Sequence, residues 1–339
     1  MKKHLKNLIA LLITIVFTFM VVHKIDVSEM VETFQMFNPL YLACLIPFFM
    51  LIMTLRAKRW QILLPKNCCK FYDLYEIYMT SNLLNIFLPA RAGDIFRGCY
   101  FGQKYNHSKL NIIGTVGAER ILDGLTVLGL LLAGIILHNK SELAIHLAIS
   151  AAVLFVCSFV FVLWVYKNNK IDYICEFIKE NTKFLPEKIR EKTIKLIDTL
   201  NPYLNAFIKG FGTFATPKAL VSAAFYSIIS WLGDCIFIYI LLMAFGIKTT
   251  FIITFFILSF LALSTIIPST SIYIGLYQYA FIQALALFEI EKSPALSIAL
   301  SQQGIMLIAY MVIAAIFMLR HHIKIKDFKE EVRENAKNT

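Results

Sequence analysis

The sequence predicts an all-α, polytopic integral membrane bundle of about 8 transmembrane helices, with re-entrant elements near residues 71–92 and 265–280. Three observations carry this. Of 339 residues, 58% are hydrophobic and only 16% charged, far more apolar than a soluble domain. Apolar runs of about 20 residues, the length a bilayer demands, recur along the chain. Lys and Arg then collect in alternate connections, as topology requires.

The first run, Leu5 to Val22, is not followed by a small-x-small cleavage signal and reads as a retained span. Val27 to Pro39 is polar and acidic. The second span runs from Leu40 to Leu55 and closes on Arg56-Ala57-Lys58-Arg59-Trp60, a basic–aromatic group expected at the headgroups. Phe71 to Phe87 is interrupted by Asp73, Glu76, Asn82 and Asn85 and stopped by Pro89. A lipid-facing span would not tolerate this, but a helix that dips in and returns inside protein would. Ile112–Leu137, Leu143–Tyr166, Leu220–Phe245, Phe251–Ile267, Ile272–Phe288 and Ala295–Leu319 complete the set, with Pro268-Ser269-Thr270-Ser271 breaking the chain between two of them. Residues 1–325 read as one transmembrane domain and 326–339 as a polar tail.

Orientation follows from basic residues. The N-terminus holds Lys2, Lys3 and Lys6; residues 56–110 hold nine Lys and Arg, 167–218 hold ten, and the tail from Arg320 holds six. The opposite side has Lys24, Lys140, Lys248 and Lys292. Both termini are therefore expected in the cytoplasm of a cell whose inner membrane holds the chain. The formal net charge of +11 fits basic loops on an anionic leaflet rather than nucleic acid. Between Lys167 and Lys218, apolar residues from Ile189 to Phe211 recur at helical spacing after Pro186. This fits a basic amphipathic helix on the membrane surface and equally a helix packed under the bundle.

Cys44, Cys68, Cys69, Cys99, Cys157, Cys175 and Cys235 show no CxxC spacing, so neither a disulfide framework nor a metal site is expected. GxxxxGK[ST], GxGxxG, HExxH and GxSxG are absent. No cofactor and no enzymatic activity are expected.

Chemistry concentrates where charge enters apolar sequence, because ionisable groups at membrane depth are costly and mark pathways or binding sites. Pro89 ends one helix and Gly93 permits a tight turn. Asp94 then starts the next helix, whose N-terminus is partly positive. With Arg91 and Arg97 this makes a candidate anion site, or a headgroup anchor with Asp94 as a cap. Glu119 and Asp123 share a helix face with Arg120 able to pair with Asp123. That acidic face suits Arg91 or Arg97, a cationic headgroup, or a structural ion network. Asp234, on a stripe with Ser227 and Ser230, is an ion-coupling candidate or a helix–helix hydrogen bond. Asn85, Tyr277 and Gln278 complete the candidate substrate-binding set. Two proline-broken segments, at Asn85–Asp94 and Thr265–Gln278, occupy corresponding places in two halves, which points to a transporter's site. Arg91, Glu119 and Asp234 are expected to face one cavity.

Leu55-Arg56-Ala57-Lys58-Arg59-Trp60-Gln61-Ile62-Leu63-Leu64, Leu88-Pro89-Ala90-Arg91-Ala92-Gly93-Asp94-Ile95-Phe96-Arg97 and Glu119-Arg120-Ile121-Leu122-Asp123 resemble the motifs of the lysylphosphatidylglycerol synthase transmembrane region, or flippase-like, family over most of residues 5–320. A further family motif, Pro-Ser-x-Pro-Gly-Gly-x-Gly-x-Tyr-Glu, corresponds to Pro268–Gln278. Pro268, Ser269, Gly275 and Tyr277 are kept, while the second proline, both adjacent glycines and the acid are replaced. The resemblance implies a lipid flippase or translocase, here as a stand-alone membrane domain without the aminoacyl-transferase domain of the full-length synthases. Its expected partners are membrane lipids with phosphate headgroups. A homo-oligomer or an envelope-synthesis partner is also compatible, and so are two other readings: a non-catalytic subunit of an envelope glycan–lipid assembly, and a membrane-embedded lipid transferase.

Overall fold

The computed structural model describes residues 18–21, 23, 25–65, 68–88, 91–138, 142–182, 186–265 and 275–321. Their regular structure is all helical, with no strand among them. The polar segment after residue 25 forms α1 (Val27–Met36), capped by Asp26, whose carboxylate accepts from the Ser28 and Glu29 amides. The bundle proper begins with α2 (Leu40–Leu63). It continues through α3 (Phe71–Phe87), α4 (Ala92–Lys104), α5 (Lys109–Leu137) and α6 (Glu142–Asn168). Next come α7 (Ile171–Glu180), α8 (Glu187–Lys209) and a 3-10 turn (Gly212–Ala215), followed by α9 (Pro217–Ala244), α10 (Ile253–Ser264), α11 (Leu276–Ala286) and α12 (Lys292–His321).

Among the described residues five helices are long and apolar enough to cross a membrane: α2, α5, α6, α9 and α12. They match five of the spans expected from the sequence and make the protein a multi-pass helical membrane protein. The run at 5–22 lies largely outside the described residues. The two other expected spans are shorter than anticipated: α10 has 12 residues and α11 has 11. At 1.5 Å per residue each reaches about 16–18 Å, well under a hydrocarbon core of about 30 Å. Phe256 near the start of α10 meets Phe288 just past α11, with ring centroids 5.6 Å apart, so the two helices run antiparallel as a hairpin. Gly275 begins α11 with φ +83°, a conformation that favours glycine. Pro268 to Tyr273 lie outside the described residues.

The α3–α4 pair also forms a hairpin, the first of the two in chain order; α10–α11 is the second. Asn85 and Asp94 exchange hydrogen bonds: Asn85 Nδ2 donates to Asp94 Oδ1 at 3.0 Å, and the Asp94 amide donates to Asn85 Oδ1 at 3.1 Å. Gly93 allows the arms to touch, since a Cβ there would stand 2.0 Å from the Ser81 carbonyl oxygen. The helix expected to open near Asp94 does so, with Asp94 in its first turn.

The core lies between these hairpins and the long helices. Helix α2 packs along α9, α4 on α5, α10 on both α5 and α11, and α12 on α3 and α11. Phe49 ties three helices together, its ring 5.9 Å from Phe237 and 5.3 Å from Tyr310. Arg320 at the end of α12 reaches Glu76 at 3.3 Å and Asp73 at 3.5 Å, fastening α12 to the base of α3.

In the 167–218 segment the helix packs on the bundle at one end only. Helix α8 starts at Glu187 after Pro186. Its C-terminal end is pressed on α5, where a Cβ on Gly114 would come within 2.1 Å of the Phe207 carbonyl. Ile189, Leu196, Leu200, Tyr203 and Leu204 nonetheless remain exposed. Helix α7 docks on α8 through Ile171, Cys175, Ile197 and Ile208.

Candidate functional site

Three arginines and three carboxylates from α2, α4 and α5 form one connected network inside the bundle, and an Arg56–Asp234 pair abuts it through Trp231, whose ring faces Arg56 and whose Nε1 donates to Asp123. Arg59 is its hub and is 1% exposed. Its Nη2 pairs with Glu119 Oε1 at 3.1 Å, and its Nη1 pairs with Asp123 Oδ1 at 2.5 Å and donates to Ser227 Oγ at 2.8 Å. Arg97 meets the other Glu119 oxygen at 2.5 Å, with Asp94 at 3.7 Å. Arg120 bridges Asp94 and Asp123, at 3.2 Å to each. Arg56 pairs with Asp234, joining α2 to α9. Trp231 Nε1 donates to Asp123 Oδ1 at 2.9 Å.

The helical spacing explains the convergence. Arg56 and Arg59 are one turn apart on α2, and Glu119 and Asp123 one turn apart on α5, so both pairs present a single face. Ser227 and Asp234 lie two turns apart on α9. In a low-dielectric interior each charge demands a partner, and this lattice supplies one to every member.

Arg97 is fully buried. Its guanidinium carbon lies 4.5 Å from the Trp60 ring centroid and 4.8 Å from that of Tyr78, so aromatic faces hold the cation as well. Trp60 itself is 0% exposed and donates to Thr115 Oγ1 at 3.1 Å. It is therefore not the headgroup anchor that its basic neighbours suggested. Helix α2 continues inward past Arg56 to Leu63, because Arg56 and Arg59 find carboxylates there.

Arg91 stands at the turn of the first hairpin, with left-handed backbone (φ 53°, ψ 41°) as N-cap of α4. Its Nη2 donates to Thr265 Oγ1 at 2.5 Å, immediately after α10. The two interrupted hairpins thus meet at their breaks. On the second hairpin, Gln278 is buried, accepts from the Gly275 amide at 2.8 Å and donates to Gln303 Oε1 at 2.6 Å. Tyr277 stacks on Phe281.

Several expectations change. Asp234 is not a lone acid, since Arg56 holds it. Among the described residues, Arg91, Glu119 and Asp234 are each engaged by different partners. Glu119 is enclosed by Arg59 and Arg97, Asp234 sits on Arg56, and Arg91 reaches Thr265. A cavity of about 670 Å³ lies elsewhere, lined by residues including His138, Lys248 and Phe288. Arg56 and Arg59 were absent from the candidate set. Their i,i+3 spacing beside the apolar run of α2 was the available signal, masked by their resemblance to an interfacial basic cluster. Among the described residues no group of His, Cys, Asp and Glu is arranged to hold a metal.

Fold and site together define a polytopic helical membrane domain with a charge lattice inside it. The model of the lysylphosphatidylglycerol synthase transmembrane region matches residues 7–314, so the chain is a member of that family. It is also similar to the UPF0104 membrane protein MJ1078 of Methanocaldococcus jannaschii, 24% identical over 217 residues, covering 63% of this chain and 84% of that protein. No solved structure matches.

Proposed function

We propose that this protein is a lipid translocase, moving a phospholipid or lipid-linked phosphate headgroup across the cytoplasmic membrane without altering it chemically. The observation that carries the reading is the Arg91–Thr265 contact, where two broken helical hairpins meet beside a buried ion network. Helices interrupted at membrane depth are tolerated where they line a substrate path, and family membership supports the same reading. Arg91 takes the headgroup phosphate, while Asn85, Asp94, Arg120, Tyr277 and Gln278 shape its surroundings. Arg97, Glu119 and Asp123 hold the helices in register, and Asp234, through Arg56, is the ion-coupling candidate. The bias of Lys and Arg between alternate loops supports cytoplasmic termini.

The test is leaflet exchange in liposomes. Purified protein reconstituted with labelled phospholipids or lipid-linked sugars should equilibrate label between leaflets with no new lipid species on chromatography. A modified lipid would instead assign a transferase. Absence of both, with a co-purifying transferase, would assign an accessory subunit.

A further inference from the structure

We infer that the site selects a headgroup carrying a single net negative charge, a phosphodiester with no compensating amine, and that Arg91 is the residue that reads it. The inference rests on the lipid-translocase reading and deepens it.

The argument is a charge balance. Arg56, Arg59, Arg97 and Arg120 are each ion-paired in the network or in the pair abutting it, and their partners are Asp94, Glu119, Asp123 and Asp234. Four guanidinium groups face four carboxylates, so the lattice is neutral. Arg91 is the fifth cation at this site. Among the described residues it joins no ion pair, and its hydrogen bond goes to the neutral hydroxyl of Thr265. The second hairpin cannot supply a counter-charge, since the sequence from Thr249 to Phe288 contains no Asp, Glu, Lys or Arg. The site therefore carries one uncompensated positive charge.

That charge is placed to meet a lipid. Arg91 is half-buried at the hairpin turn, and the side chains of Phe87 and Ile95 on either side of the turn are exposed, as acyl-chain neighbours should be. A guanidinium has five N–H donors in a planar fork. With Nη2 engaged on Thr265, donors remain for the two non-bridging oxygens of a phosphodiester.

The same balance excludes a cationic substituent. An ammonium entering the site would need a carboxylate, and every carboxylate of the lattice already holds an arginine. Taking one would strand a buried guanidinium, which is strongly unfavourable. Zwitterionic and cationic headgroups are therefore discriminated against by the absence of a free acid as much as by the presence of Arg91.

The experiment measures binding apart from transport. Native mass spectrometry of the purified full-length chain is run with phosphatidylglycerol, phosphatidylcholine and lysylphosphatidylglycerol, whose net charges are negative, zero and positive. Phosphatidylglycerol should be retained about tenfold or more over the other two, the scale of one charge-assisted contact. Arg91→Gln should bring the three close to parity, and Arg91→Lys should keep part of the preference. Arg91→Gly provides a variant that folds safely, because glycine adopts the left-handed backbone without strain, and it too should lose the preference. Equal or tighter retention of either other lipid, or a preference that survives Arg91→Gly, overturns the inference. Leaflet exchange is read separately. Selective binding without exchange of any lipid retains the inference and retires the translocase reading. Exchange of all three lipids alike does the reverse.

Discussion

Arg97 Nη2 lies 2.5 Å from Glu119 Oε2, and both side chains are wholly shielded from solvent. This contact joins the second arm of the first hairpin to the charged segment in the first half of α5. Glu119 also carries Arg59, so it neutralises two guanidinium groups from two other helices. Breaking a buried pair by removing one partner costs about 3–5 kcal/mol, and here two cations are stranded together. Glu119→Ala should therefore lower stability by at least that amount in detergent. Thermal unfolding monitored by tryptophan fluorescence checks it, since Trp60 stacks on Arg97. A loss under about 1 kcal/mol, typical of exposed pairs, would mean that water reaches the lattice.

The Arg56–Asp234 pair gives a contrasting test, because it joins only α2 and α9. Asp234→Asn leaves Arg56 unpaired and should destabilise. Arg56→Met with Asp234→Leu removes both charges and should recover most of that loss, because a hydrophobic pair replaces a buried ion pair at little cost. If Asp234 couples transport to an ion, the double variant should be stable yet inactive in leaflet exchange. Stability with full activity would assign the pair a purely structural role.

The first hairpin depends on a close approach at Gly93. A Cβ there would meet backbone, the Ser81 carbonyl oxygen at 2.0 Å and the Asn85 amide nitrogen at 2.8 Å. Backbone cannot swing aside as a side chain can, so Gly93→Ala should part the arms and break the paired Asn85–Asp94 hydrogen bonds. The expected loss is about 2–3 kcal/mol, in the range of strong overpacking, together with loss of exchange activity. Hydrogen exchange at the Asp94 amide, which donates to Asn85, should accelerate in the variant. Unchanged exchange there would show that the turn relaxes elsewhere.

Much of this was legible in the sequence, for physical reasons that differ by element. The five long spans follow from composition alone, because a bilayer requires about 20 apolar residues and little else. The first hairpin was legible in part: Asp73, Glu76, Asn82 and Asn85 mark α3 as a helix that cannot face lipid, but the return arm α4 runs to Lys104, beyond the expected 71–92. Asp94, Arg97, Glu119, Arg120 and Asp123 stood out as charges in apolar surroundings, and they do converge. Their pairing was not legible, since a helix face can be read from spacing but not which face it meets. Arg59 was passed over for that reason: beside Lys58 and Trp60 it has the composition of a membrane-surface cluster, and only the length of α2 carries it inward. The pairing of Asp234 was hidden because its partner lies 178 residues away. The shortness of α10 and α11 was also hidden, because two half-length apolar helices have the same hydropathy as two spans.

The α7–α8 hairpin, outside the membrane helices, should be pH-sensitive in a direction that can be worked out. Asp172 accepts hydrogen bonds from Asn201 Nδ2 at 2.9 Å and Asn205 Nδ2 at 3.1 Å. These bonds favour the carboxylate and hold its pKa below the ordinary aspartate value. A carboxylate whose pKa is depressed on folding lends stability above its unfolded pKa and loses it as pH falls through the folded one. The hairpin should therefore loosen on acidification through the carboxylate range. The ion pair of Lys179 with Asp198 raises the lysine pKa, so on the alkaline side that contribution is lost only in strong alkali. Hydrogen exchange of the α7 amides should accelerate as pH drops below about 4, after correction for the intrinsic rate. Asn201→Ala with Asn205→Ala should abolish that acid-dependent step while leaving exchange in α5 unchanged. If the acid step persisted in the double variant, Asp172 would not be its origin.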